Sequence, residues 1–105
     1  MKGCQITFYS YFGRVYQGHN VPEYLMALAE ALSLSGATIS SGLMGIGHHG
    51  DVHNKTWLDD SDEPMQVIFI VTLEQEKQLF ERLKKEQMKI FYTRTEVEFG
   101  YSGLE

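Results

Sequence analysis

Met65-Gln66-Val67-Ile68-Phe69-Ile70-Val71-Thr72 is rich in β-branched and aromatic residues and follows Pro64, which makes it a strand. In a strand Val67, Phe69 and Val71 share one side and Ile68 and Ile70 the other, so both faces are apolar. Its last residue also opens a helix: Thr72 and Gln75 have the spacing of a capping box. Leu79, Phe80 and Leu83 then recur at helical intervals as a buried stripe, while Glu81 and Lys85 can pair on the wet side for a few tenths of a kcal/mol. After the short connector Glu86-Gln87-Met88, Lys89 to Phe99 reads as a final strand, with Ile90 and Tyr92 opposed to Phe91, Val97 and Phe99.

The first half repeats this order. Gln5 to Tyr9 alternates, with Ile6 and Phe8 on one side, as a strand does. Tyr11 to Asn20 is read as a loop. A helix starts near Pro22 with Asn20 as its cap, buries Leu25, Leu28, Ala29 and Leu32, and is expected to stop at Gly36 in a left-handed conformation. Ala37 to Leu43 is the second strand. Strand-helix-strand, twice, predicts an α+β fold: a ferredoxin-like βαββαβ arrangement, a four-stranded antiparallel sheet with both helices on one face. Residues 1–105 are read as one domain.

Two helices cover only one face of such a sheet, yet the strands are apolar on both. Leaving several aliphatic side chains wet costs about 1.5–3 kcal/mol each. The expectation is a partner subunit on the second face; the competing reading folds the long loop and last strand back over it.

The chain of 105 residues carries 14 acidic and 9 basic side chains, a net charge of −5. No basic cluster exceeds Arg82, Lys84 and Lys85, which argues against nucleic-acid or anionic-membrane partners. The longest apolar run, Val67 to Val71, is far too short for membrane insertion. The first residues lack the apolar core of a secretory signal, and one cysteine, Cys4, cannot form an internal disulfide. A soluble, cytoplasmic protein is expected.

Gly45-Ile46-Gly47-His48-His49-Gly50 spells G-x-G-x-x-G after a strand. A dinucleotide fingerprint needs a helix opening at the third glycine, with its N-terminus facing the pyrophosphate. Residues 51–62 have no helical periodicity, and no Lys-Ser/Thr ending marks a P-loop. What remains is local: Gly45 and Gly47 can take positive φ and turn backbone N–H groups outward as a small anion nest, or they form a plain turn between strands.

The run Gly42-Leu43-Met44-Gly45-Ile46-Gly47-His48-His49-Gly50, followed by His53, resembles the start of the long loop in PII-like signalling proteins, within a small bacterial branch catalogued as a domain of unknown function. Met1-Lys2-Gly3, Thr7-Phe8-Tyr9, Pro22-Glu23-Tyr24-Leu25, Gly36-Ala37-Thr38 and the closing Phe91-Tyr92 through Phe99-Gly100 resemble that branch as well. The resemblance implies a homotrimer whose sheet faces pack together and an adenine nucleotide (ATP, ADP or AMP) as effector in the cleft between subunits, with no required cofactor. It also implies a loop, residues 45–62, that reports occupancy to a target protein such as a transporter or channel. On that likeness Gly45, Gly47 and Gly50 lie at the ligand beside His48 and His49. The glycine-rich phosphate loop of better-known PII proteins is missing, since only Glu86-Gln87-Met88 joins helix to strand, and residues 46–60 hold no modifiable tyrosine. Arg14, Lys55 and Arg94 are the candidate replacements at the phosphates.

Three rival constellations compete with this reading. His48, His49 and His53 have the chemistry of metal ligands, so the first alternative is a metal-binding trimer resembling the CutA proteins. A solvated or ligand-contacting loop is the plainer account, and no metal site is assigned. Asp59, Asp60, Asp62 and Glu63 lack the spacing of a calcium loop. A small enzyme acting on a phosphorylated compound is the second alternative, although no catalytic triad or carboxylate pair stands out. Trp57 in an otherwise polar loop either anchors the loop to its own core or, with His53 and Lys55, offers a hot spot to the target protein.

Overall fold

The structure is a computed structural model that describes residues 1–41, 44–46, 52–54 and 64–103. In chain order it contains β1 (Lys2–Tyr11), β2 (Val15–Tyr16), β3 (His19–Asn20), α1 (Val21–Ala31), β4 (Gly36–Ser41), β5 (Met44–Ile46), β6 (Val52–Asn54), β7 (Pro64–Thr72), α2 (Leu73–Lys85) and β8 (Tyr92–Glu98). The main sheet has the order β4-β7-β1-β8, and every neighbour is antiparallel. This is the expected ferredoxin-like βαββαβ arrangement, with two small hairpins, β2–β3 and β5–β6, added.

The core lies between the sheet and the helices. Cys4, Ile6 and Phe8 of β1 and Val67, Phe69 and Val71 of β7 are essentially inaccessible, and Val21, Leu25, Leu79 and Leu83 close over them. Phe8 anchors the centre, edge-on to Phe69 at 5.7 Å and tilted against Phe80 at 6.1 Å. Both helix starts form as their residues dictate. Asn20 accepts from the Glu23 N–H at 3.1 Å with Pro22 in the first turn, and the Thr72–Gln75 capping box is complete.

Four expectations need correction. The first helix is not ended by a left-handed Gly36. Leu32 caps it, Ser33 takes the positive φ of 51°, and Gly36 begins β4 instead. The Ser33 and Leu34 N–H groups already reach the Glu30 and Ala29 carbonyls, so the chain reverses three residues early. The last strand starts at Tyr92 instead of Lys89. The segment 11–20 is no plain loop but contains the β2–β3 hairpin, turned by Gln17 at φ 51° and Gly18 at φ 80°, the two positive values that a tight hairpin turn requires. Finally, Leu32 and Phe80 are only partly buried, at the margin of the core.

Candidate functional site

Register sorts the sheet's side chains by face. Gln5, Thr7 and Tyr9 lie opposite Ile70, Ile68 and Gln66 on one flank, and Gln5 and Thr7 lie opposite Thr95 and Thr93 on the other. Thr38 faces Ile68 across β4. This is the face the helices leave open. It carries half-buried Ile68 and Ile70 among threonines, which matches the two-sided patterning read from Val67–Val71. Thr7 is nearly buried even so, at 7% exposure, under its larger neighbours.

One end of the sheet gathers most of the described candidates. β1 ends at Tyr11 opposite Pro64, β4 ends at Ser41 opposite Met65, and the segment between β4 and β7 therefore leaves from this end. The chain also enters β8 here: the Tyr9 N–H reaches the Phe91 carbonyl at 3.0 Å. The turn after β1 is closed by the Arg14 N–H on the Tyr11 carbonyl. From it the Arg14 guanidinium donates to the Lys89 carbonyl at 3.2 Å and lies over the Tyr16 ring, 5.7 Å from its centroid. Arg14 is thus held between the β2–β3 hairpin and the entry to β8, at the root of the long loop.

Of the loop residues, Gly45 and His53 face each other in the β5–β6 ladder, which places the first glycine and the third histidine side by side along the backbone. Gly47, His48, His49, Gly50, Lys55 and Trp57 lie outside the described residues, as do Asp59, Asp60, Asp62 and Glu63. Among the described residues no group of His, Cys, Asp or Glu side chains comes together in a way that can hold a metal ion.

Arg94 is not brought to Arg14. It lies opposite Ile6 on the helix-covered face, and its guanidinium forms a two-pronged ion pair with Glu76 in the first turn of α2, Nε donating to Oε2 and Nη2 to Oε1. The pair raises the Arg94 pKa above its ordinary value. The Arg94 hydrogen bonds hold the Glu76 carboxyl below the usual carboxylate range against a smaller opposing effect of burial. Beneath them Cys4 is buried, and its thiol is pushed up first by desolvation and then by Glu76.

Sequence reasoning passes over two features of this end. Tyr9 and Phe91 lie tilted against each other on the open face, ring centroids 5.7 Å apart, and Phe91 is 56% exposed while Phe12, two residues before Arg14, is 50% exposed. The alternation carries part of the signal, since it sets Phe91 on the face opposite Ile90 and Tyr92; what no spacing announces is that its ring stays accessible.

A four-stranded antiparallel sheet with both helices on one face, and with the long β4–β7 connection leaving beside the entry to β8, defines the PII-like form of the ferredoxin-like fold. It is the fold of CPII, a nitrogen regulatory PII-like protein from Thiomonas intermedia K12 solved bound to ADP, AMP and bicarbonate. That match has a TM-score of 0.61 at 19% identity, over 92% of this chain and 89% of that one. A putative PII-like signaling protein from Thermus thermophilus is similar at a TM-score of 0.66 and 16% identity, over 91% of this chain and 87% of the other. The chain itself belongs to the DUF190 family, described as an uncharacterized ACR, whose model matches residues 3–99. No curated protein matches the sequence. Among the described residues no helix is long and apolar enough to cross a membrane.

Proposed function

We propose that this chain is a PII-like regulatory protein, not an enzyme. It acts as a single domain in the cytoplasm, assembles as a homotrimer through its open sheet face, and binds an adenine nucleotide or a related anionic metabolite at the seam between subunits. Occupancy orders the loop 45–62 and changes its fit to a target protein, with Trp57, His53 and Lys55 as the contact residues. Gly45, Gly47 and Gly50 supply backbone donors, His48 and His49 flank them, and Arg14 and Arg94 supply positive charge. The observation that carries the reading is the shared fold: a PII-like protein of this topology has been solved holding ADP, AMP and bicarbonate, and the helices of this chain leave open a sheet face on which Ile68 and Ile70 are half-buried among threonines.

The chemistry is consistent with a binding protein. A ligand can shift the loop only by its differential affinity for the ordered state, and a glycine-rich root lets the backbone approach an anion closely. Arg94 reaches a ligand only by releasing Glu76, whereas Arg14 has further N–H groups to offer beyond its Lys89 contact.

Calorimetry against ATP, ADP and AMP, with sedimentation at the same concentration, tests this. The expected result is micromolar nucleotide binding by a species three times the 12.0 kDa chain, lost in Gly45→Val or Gly47→Val. A lone chain, or a trimer that takes up no nucleotide, overturns it.

A further inference from the structure

We draw no further inference here: the strongest candidate, the sheet face that the helices leave open, on which the strand register sets Gln5, Thr7, Thr38, Ile68, Ile70 and Thr95 and, among the described residues, no charged side chain, belongs to the subunit contact already proposed, and nothing in the structure shows what covers it.

Discussion

Gly3 is the position where this fold is least forgiving. It sits in β1 between Thr72 and Val97, and a Cβ added there lands 1.9 Å from the Val71 carbonyl oxygen and 2.9 Å from the Phe99 ring. The ring can swing away; the carbonyl belongs to a central strand and cannot. Reaching ordinary contact needs a separation of at least 3.4 Å, so β1 and β7 must part by about 1.5 Å at a paired position. Overpacking of this kind costs about 1–3 kcal/mol, and more where backbone has to move. Gly3→Ala is therefore expected to lose about 3 kcal/mol, a large part of the ~5–15 kcal/mol that holds a domain together. At about 4–8 °C per kcal/mol the melting midpoint falls by roughly 12–24 °C. Urea unfolding with an unchanged m-value checks it at a fixed protein concentration. Gly36→Ala serves as the control, because its Cβ meets only Ile70 at 3.5 Å, and is expected within about 0.5 kcal/mol of native. A Gly3→Ala protein as stable as that control refutes the reasoning.

The Gln75 side chain ties the two halves of the fold: Oε1 accepts from the Thr72 N–H and the Ser35 hydroxyl, and Nε2 donates to the Ser33 carbonyl. Gln75→Ala is expected to cost about 1–2 kcal/mol in urea unfolding, with Gln75→Glu between it and native because only the donation to Ser33 is lost. Ser33 at φ 51° occupies a conformation that favours glycine, so Ser33→Gly is expected to raise stability by about 0.5–1 kcal/mol, read as a higher melting midpoint. The Glu76–Arg94 pair gives a pH signature. A carboxyl held below its ordinary 4.5 adds stability that is present at neutral pH and lost as pH falls through its folded-state value. The difference between native and Arg94→Gln proteins in unfolding experiments is therefore full at pH 7 and closes in acid below about pH 4.

The central strands, both helices and their caps are legible because each is written in local chemistry. Pro64–Thr72 is continuous and β-branched, Thr72 and Gln75 cap in the spacing that capping requires, and Asn20 precedes Pro22. The long loop's glycines lead to the family through sequence likeness, not spacing, since the dinucleotide reading of the same residues fails. Other features escape a linear reading. A left-handed residue is cheapest as glycine, so Gly36 draws the expected helix end; the chain instead places Ser33 there, because the Leu34 N–H closes on the Ala29 carbonyl, a local C-terminal closure that outweighs the preference for glycine. Arg94 reads as a candidate phosphate contact; alternation puts it on the side of Tyr92, but that this side lies opposite Ile6 on the covered face beneath α2 depends on a β1–β8 register that no linear reading supplies. The accessible Phe91 ring is hidden for the same reason: exposure beside an edge strand is decided by tertiary neighbours, not by alternation.

Stability and binding are divided between the two ends of the sheet. Gly3, Thr72, Gln75, Ser33 and the Glu76–Arg94 pair all lie at or toward the end where α2 begins, and they fasten β1, β7 and β8 to the helices. The opposite end holds Arg14 and the root of the β4–β7 connection, where the β1–β7 and β4–β7 ladders run on to Tyr11–Pro64 and Ser41–Met65 and the Tyr9 to Phe91 and Arg14 to Lys89 hydrogen bonds tie in the entry to β8. Substitution at Arg14 is expected to move ligand affinity with little change in global unfolding, and substitutions at Gly3 and Gln75 to do the reverse. A binding loss at Arg14 that always travelled with a matching fall in melting midpoint would break this division, because it would make the guanidinium part of the scaffold.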